Sequence, residues 1–209
     1  MNLNVEKILI IGLGMIGSSI ALASKSKGIK VYGFDKSNNS IKEALEKNII
    51  DSKVESILDI NSKDFVKKVD LIVVAVPPKQ TLDVFNDLKD IWNMDVTITD
   101  TSSVKNHIKL NNVSNIVLSH PIAGSDQSGI SAANEDLFKN KKNVLCDPFN
   151  SKKGHFEKVD NFWKNALQMR TSSMSVSEHD LIFAMTSHLP HLVSYALIDS
   201  IRLSNHDVD

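Results

Sequence analysis

Short apolar runs alternate with longer amphipathic stretches along most of the chain. Each run is too short to be a core helix and is rich in β-branched residues, which is typical of a buried parallel strand. Strands that alternate with helices predict an α/β fold, an open and mostly parallel sheet with helices on both faces. The predicted strands are Ile8–Ile11, Val31–Phe34, Asp70–Val76, Val96–Thr99, Asn115–Leu118, Asn143–Cys146 and Met169–Ser172, with a short edge strand inside 49–60.

The amphipathic stretches predict helices with their apolar positions toward the sheet. Ser37 is a suitable N-cap for the second helix, because its hydroxyl can accept a hydrogen bond from the first turn. The predicted helices are Ser18–Lys27, Ser37–Lys47, Gln80–Ile91, Val104–Leu110, Ile130–Phe138 and Lys153–Leu167, followed by one long helical stretch from Ser175 onward that Pro190 interrupts.

The first strand leads directly into Gly12-Leu13-Gly14-Met15-Ile16-Gly17, and the next strand ends at Asp35. In a Rossmann-type βαβ unit the first glycine permits the tight turn, the second lets a pyrophosphate approach and the third lets the helix pack on the strand. The pyrophosphate then lies at the positive end of the helix. The alternative is an ordinary βαβ unit with a glycine turn. Here the strand, the glycines, the helix, the second strand and its terminal acid follow one another in the expected order, which favours a dinucleotide site.

Asp35 also predicts which dinucleotide binds. Its carboxylate can accept hydrogen bonds from ribose hydroxyls and would repel a 2′-phosphate, so the sequence favours NAD over NADP. Lys36 could partly offset the charge of a 2′-phosphate, so NADP stays possible.

Bulk composition limits the class of partner. The 209 residues carry a formal net charge of −1, and the lysines are scattered, which argues against nucleic acid as the main partner. No uninterrupted apolar run approaches the roughly 18 residues that a membrane span needs, and the start lacks a signal-peptide pattern. We therefore expect a cytoplasmic protein. Cys146 is the sole cysteine, which excludes an internal disulfide, and its apolar neighbours predict a buried strand thiol.

The segment from Ser175 onward is apolar around much of its circumference, from Leu181 to Ile201. Such a helix needs cover on several sides. We expect residues 1–172 to form the dinucleotide-binding domain and 173–209 to begin a helical second domain. Another subunit, or further chain, would cover that helix.

Ligands of open α/β sheets bind beyond the carboxyl ends of the strands. His120 follows such a strand, so we expect it where a nicotinamide ring and a substrate would meet. A neutral imidazole can accept a hydroxyl proton near pH 7. The alternative is a loop histidine that caps the strand end. The other polar features at these ends are Asp35, the Val76-Pro77-Pro78 turn and the Asp100-Thr101-Ser102-Ser103 turn.

Several motifs together resemble the prephenate and arogenate dehydrogenases of tyrosine biosynthesis. The glycine turn is shared by many dehydrogenases, whereas the Ser-His-Pro-Ile-Ala-Gly-Ser loop combined with Ser-His-Leu-Pro-His is highly specific. The motifs are Gly12–Ser18, Asp100–Lys105, Ser119–Ser125 with Ser128–Phe138, Glu178-His179-Asp180, and Ser187–His191.

The resemblance implies oxidative decarboxylation of a cyclohexadienyl acid. His120 is similar to the family histidine that takes the ring-hydroxyl proton, and Ser103 to the serine that contacts the same hydroxyl. His188, His191, Gly124 and Ser125 are expected to contact the substrate. The residues expected at the cofactor are Gly12, Gly14, Met15, Ile16, Gly17, Asp35, Val76, Pro77, Thr101 and Ser102. The resemblance further implies a homodimer formed through the C-terminal helices.

One departure concerns an arginine. Family members pair a substrate carboxylate with an arginine in a downstream D-x-T-R-type segment, and this chain ends before such a segment. Its arginines, Arg170 and Arg202, do not stand in that motif. We therefore expect the helical domain to be truncated here.

Three alternatives stay open at this point. His188 and His191 are three residues apart and could share a helix face to bind a metal, although Pro190 disturbs the helix there and we expect none. A β-hydroxyacid-type dehydrogenase shares the N-terminal half but requires a catalytic lysine on a long central helix. A non-catalytic NAD-binding fragment would bind the cofactor without turnover. Glu178-His179-Asp180 is interpreted as a polar helix start that Ser175 caps, without a catalytic role.

Overall fold

The computed structural model describes residues 5–203 and contains one eight-stranded sheet in the order β3-β2-β1-β4-β5-β6-β7-β8. Neighbouring strands are parallel except that β7 runs antiparallel to β6. The first six strands have the order typical of dinucleotide-binding sheets. The strands are β1 (Lys7–Ile11), β2 (Lys30–Phe34), β3 (Ser52–Lys53), β4 (Leu71–Val74), β5 (Thr97–Asp100), β6 (Ile116–Ile122), β7 (Lys142–Cys146) and β8 (Arg170–Ser173).

Helices cover both faces of this sheet. Single turns of 3₁₀-helix lie at Lys89–Ile91 and Ile130–Ala132, and π-helical turns at Phe162–Ala166 and Ala184–His188. The α-helices are α1 (Met15–Lys25), α2 (Asn38–Glu46), α3 (Ile57–Ile60), α4 (Lys63–Val66), α5 (Pro78–Asp87), α6 (Lys153–Asn161), α7 (Val176–Phe183) and α8 (Leu189–Leu203).

The core has two halves because side chains of a strand alternate between faces. Ile8 and Ile10 of β1 belong to one apolar cluster, with Trp163, while Leu9 and Ile11 belong to the other, with Phe85. The strand is thus buried on both sides, which explains its uninterrupted apolar sequence.

Most of the predicted elements are confirmed within a few residues, including the α/β class, the edge strand β3, the N-cap Ser37 and the buried thiol of Cys146. Two predicted helices are wrong. Ile130–Phe138 forms only a single 3₁₀ turn, and 104–110 is irregular. In the latter, the backbone N–H groups of Lys105 and Asn106 donate to the Asp180 carboxylate. Such bonds are compatible with a helix start, but the carbonyl of Val104 accepts the Ser102 hydroxyl and the N–H of Ile108 donates to Lys105 instead, so the first α-helical bond is not made.

The C-terminal segment is helical from Val176 to Leu203, as predicted, while positions 204–209 of that prediction lie outside the described residues. Its most apolar 18-residue window has a mean hydropathy of 1.4, and no residue of that window is buried. By length and composition alone, this helix could cross a membrane, contrary to the expectation from uninterrupted apolar runs. The mean hydropathy stays high because the Ser, Thr and His residues that interrupt the apolar runs are few and scattered.

The glycine turn between β1 and α1 is sterically constrained at two positions. Gly12 has φ +98°, and a side chain there would lie 2.5 Å from the carbonyl oxygen of Ala75. A Cβ on Gly17 would lie 1.9 Å from the carbonyl oxygen of Gly12, while one on Gly14 would meet nothing within 4 Å. Gly17 therefore fixes the packing of α1 on β1, and Gly14 leaves open space in front of the helix.

This contrast predicts opposite results for two matched substitutions. Gly17→Ala should lower the free energy of unfolding by more than about 2 kcal/mol, because backbone must move to admit the methyl group. Gly14→Ala should change it by less than about 1 kcal/mol. Urea unfolding followed by circular dichroism measures both values, and equal destabilisation by the two substitutions would contradict the packing role of Gly17.

Candidate functional site

A cleft opens where the strand order reverses, between the carboxyl ends of β1 and β4. It has a volume of about 240 Å³. One Asp35 oxygen accepts the backbone N–H of Leu13 at 2.7 Å and the other accepts that of Ser37 at 2.8 Å, which fixes the carboxylate beside the glycine turn. The cleft brings together the predicted cofactor residues Gly12, Gly14, Asp35, Val76 and Pro77.

The start of α1 has the features of a phosphate site. Gly14 is its N-cap, and no side chain caps its first turn. Gly14 is exposed, with open space where a Cβ would stand. Free N–H groups at a helix start attract a phosphate, and a bare glycine lets it approach the backbone. The residues present therefore fit a dinucleotide pyrophosphate. Met15 and Ile16 are half-buried in the first turn of α1, and Gly17 is buried there.

His120 lies beyond the end of β5, on an extension of β6. β5 pairs with β6 only as far as Val117, whereas β7 pairs with β6 from Leu118 to Ile122. The imidazole is mostly removed from water, and this burial, assisted by the nearby Lys105 charge, lowers the pKa of His120 to about 3. His120 is therefore a neutral imidazole at physiological pH.

Two side chains of α7 contact His120, and a third, Asp180, contacts one of these two. Its Nδ1 lies 2.9 Å from Nε2 of His179, which is fully buried, and Nδ1 of His179 lies 2.7 Å from Oδ1 of Asp180. The ring of Phe183, one helical turn after His179, packs edge-on against His120 with 4.7 Å between centroids. The structure thus joins α7 to the end of β6 through a histidine pair and a carboxylate.

A buried ion pair stabilises the end of β5 and the adjacent part of β6 that precedes His120. Nζ of Lys105 lies 2.6 Å from Oδ2 of Asp100, and both side chains are inaccessible to solvent. The other Asp100 oxygen accepts the backbone N–H of Ser119 at 2.9 Å, and the Lys105 ammonium donates to the carbonyl of Ser119. Burial lowers the pKa of Lys105, opposed by the attraction of Asp100.

The turn after β5 carries three predicted site residues. Ser102 is buried, and its hydroxyl donates to the carbonyl of Val104 at 2.9 Å, so this hydroxyl serves the turn itself. Thr101 donates its backbone N–H to Val74 at the end of β4. Thr101 and Ser103 are half-buried. The turn therefore lies between the β4 side of the cleft and His120.

The predicted substrate residues are more dispersed. Gly124, Ser125, His188 and His191 are exposed, and the hydroxyl of Ser125 donates to Asp126. Of these four, His188 is near enough for its charge to lower the pKa of His120. Within residues 5–203, no group of three or more His, Cys, Asp or Glu side chains gathers where it could hold a metal ion.

Comparison with protein families identifies the chain. Residues 20–168 match the model for the prephenate dehydrogenase nucleotide-binding domain, and residues 175–209 match the model for the prephenate dehydrogenase dimerization domain. The chain belongs to the prephenate dehydrogenase family. The predicted family is thereby confirmed.

Relatives and solved structures agree with this family. The chain is 33% identical to the prephenate dehydrogenase of Bacillus subtilis over 95% of its own length and 54% of the relative's. It is 34% identical to the cyclohexadienyl dehydrogenase of Zymomonas mobilis, covering 92% of this chain and 66% of that one. The chain thus spans about half to two thirds of the length of these curated relatives.

Among solved structures, the prephenate dehydrogenase of Aquifex aeolicus has a TM-score of 0.87 and 31% identity, covering 96% of this chain and 72% of that one. A second structure of the A. aeolicus enzyme, in complex with hydroxyphenyl propionate and NAD+, has a TM-score of 0.86 and 29% identity, covering 99% and 73% of the two chains.

Sequence reasoning missed the roles of four residues in this family member: Lys105, His179, Asp180 and Phe183. The sequence pattern predicts only a polar helix start for Glu178-His179-Asp180. The capping box of Ser175 and Glu178 is indeed present, but the next two residues contact the site. His179 and Phe183 are four residues apart and share a helix face, which was the available signal.

The buried ion pair generates a stability prediction. Lys105→Met should lower the free energy of unfolding by about 3–5 kcal/mol, because it leaves the Asp100 carboxylate buried without its cation. Adding Asp100→Asn should recover part of this loss. Urea unfolding provides the measurement. Lys47→Met, which breaks an exposed pair with Glu43, is the matched control and should cost less than about 1 kcal/mol. A double variant as unstable as Lys105→Met alone would contradict the prediction.

Proposed function

We propose that this chain provides the nucleotide-binding and proton-accepting part of a dehydrogenase that oxidatively decarboxylates prephenate or arogenate. The observation that carries the proposal is a neutral histidine, His120, at the same edge of the sheet as the glycine turn. Membership of the prephenate dehydrogenase family and the names of the relatives support this substrate class.

The proposed reaction begins at the ring hydroxyl of the cyclohexadienyl acid. His120 accepts the hydroxyl proton while the carbon bearing that hydroxyl gives up hydride and becomes a carbonyl carbon. The carbon–carboxylate bond then breaks and releases CO₂, and its electron pair passes through the ring to the carbonyl oxygen. That oxygen takes the proton back from His120, which gives a phenol and regenerates the base. Ser103 is proposed to donate a hydrogen bond to the reacting oxygen.

The proposed cofactor is NAD. Gly12, Gly14 and Gly17, with the first turn of α1 at Met15 and Ile16, would hold the pyrophosphate, and Asp35 would bind the adenosine ribose. We assign Val76, Pro77, Thr101 and Ser102 to the nicotinamide side. When bound, NAD accepts the hydride. The complex of an A. aeolicus relative with NAD+ supports this assignment, and NADP stays the weaker alternative.

The remaining assignments concern substrate and partner. We propose that His188, His191, Gly124 and Ser125 contact the substrate, and that 1–172 and 173–209 belong to different domains. We further propose a cytoplasmic homodimer formed through the C-terminal helix, whose large apolar side chains, including Leu192 and Tyr195, are exposed in the single chain. The match of this segment to a dimerization domain supports the homodimer.

A substitution of His120 tests the base. His120→Asn should lower kcat at least about 100-fold with prephenate or arogenate, because a general base contributes roughly 10²–10⁴ to a rate. NADH absorbance measures turnover. His155→Asn should retain activity, since His155 contacts Thr97 at the amino end of β5. Full activity of His120→Asn would contradict the mechanism, and NAD binding without turnover by the unmodified full chain would favour a non-catalytic fragment.

A substitution of Asp35 tests the choice of cofactor. The unmodified chain should bind NAD at least about 10-fold more tightly than NADP in calorimetric titrations, because the carboxylate repels a 2′-phosphate. Asp35→Asn keeps an oxygen for the Leu13 N–H but removes the charge, so the preference should shrink severalfold. An unchanged ratio of the two dissociation constants would rule out the carboxylate charge as its cause.

A further inference from the structure

We propose that His179, held by Asp180, is a positioning residue that keeps His120 protonated on Nδ1 and leaves its Nε2 free. The tautomer assignment rests on hydrogen-bond geometry and on the charge state of Asp180 and His179, while its importance for catalysis rests on the proposed function above. On this inference α7, the first helix after residue 173, determines which nitrogen of His120 on β6 is free to act as the base.

The argument starts at the carboxylate. The oxygens of Asp180 accept the backbone N–H of Lys105 at 3.0 Å and that of Asn106 at 2.8 Å. Backbone N–H groups can only donate, so the carboxylate is held as an acceptor. Burial alone would raise the pKa of Asp180, but the hydrogen bonds from His179 and the two backbone groups outweigh it and keep the pKa below its ordinary value. Asp180 is thus ionised at neutral pH.

The carboxylate then fixes the tautomer of the first histidine. Nδ1 of His179 lies 2.7 Å from an Asp180 oxygen that can only accept, so this nitrogen carries a proton. Burial lowers the pKa of His179, against the hydrogen bond to Asp180 that raises it. His179 is therefore neutral, and its Nε2 presents a lone pair.

The lone pair of His179 fixes the second histidine in turn. Nδ1 of His120 lies 2.9 Å from that Nε2 and must supply the proton between them. A neutral imidazole has one N–H, so Nε2 of His120 keeps its lone pair. The ring of Phe183 packs on both histidines with 4.7 Å between centroids in each case, which limits their rotation.

The charges around the pair favour the neutral base. Burial lowers the pKa of His120 most; the cations Lys105 and, when protonated, His179 and His188 lower it further, while Asp180 raises it. The buried Lys105 also lowers the pKa of His179, whereas Asp180 and Asp100 raise it. The charge of Lys105 thus disfavours a proton on His120, whereas the charge of Asp180, which lies on the far side of the His179 ring, favours it.

Nitrogen-15 NMR of the histidine rings in the full chain tests the tautomers without any turnover. At pH 7 both His120 and His179 should be protonated on Nδ1 with a free Nε2. Asp180→Asn should move the proton of His120 to Nε2, because its amide would turn an N–H toward His179 while its oxygen serves the backbone donors. Glu178→Gln is the neighbouring control and should leave both tautomers unchanged, since glutamine preserves the capping box. His120 protonated on Nε2 in the unmodified chain would overturn the proposal.

Kinetics separate positioning from other roles of His179. His179→Gln offers an amide oxygen to the Nδ1–H of His120 and should keep kcat within about 5-fold, whereas His179→Phe should lower kcat about 100-fold or more, with a smaller change in KM. Thermal unfolding of each variant reports whether it folds. Equal loss of kcat in the two variants, with the His120 tautomer retained in His179→Gln, would overturn the positioning role. If the unmodified chain turns over neither substrate, the proposed function fails, while the NMR result still decides the tautomer.

Discussion

The arrangement of the site depends on the buried ion pair of Asp100 and Lys105. β5 ends at Asp100 while β6 continues, so Ser119 has no backbone neighbour on that side. The Asp100 carboxylate accepts the Ser119 N–H and the Lys105 ammonium donates to its carbonyl, replacing the missing strand. The side chain of Ser119 is held as well, by Thr99 and the indole N–H of Trp163. Polar side chains thus hold the extension of β6 that places His120 beyond the end of β5.

The cation of this ion pair also affects the base. Burial of His120, assisted by the nearby Lys105 ammonium, opposes its protonation, so the resting imidazole is neutral. Asp180 provides the compensating charge, one imidazole ring farther away. His120 thus feels one charge that opposes its protonation and one that favours it, which suits a group that takes up a proton and returns it in one cycle.

Local patterns predicted the frame of this fold, and distant contacts decided the rest. The glycine turn, Asp35 and the buried strands are recognisable because each depends on residues close in sequence. The 104–110 segment has helical spacing, yet its Val104 carbonyl accepts the Ser102 hydroxyl, and Asp180, 75 residues from Lys105, fixes its start through the backbone N–H of Lys105. His179 is 59 residues from His120, and its spacing to Phe183 indicates a shared helix face but not the contact with His120. The family motifs include both His120 and His179, but they do not indicate that the two residues are in contact.

The π-helical turn at Ala184–His188 explains how His179 and His188 of one helix can both act on His120. In an uninterrupted α-helix of about 3.6 residues per turn, His188, nine positions after His179, would point to roughly the opposite side. A π turn takes more residues per turn, delays this rotation and brings His188 back toward the side of His179. The charge of His188 accordingly reaches His120. The irregular turn thus brings His188 nearer to the side of the helix that carries His179, while large apolar side chains such as Leu192 and Tyr195 are exposed on the same helix.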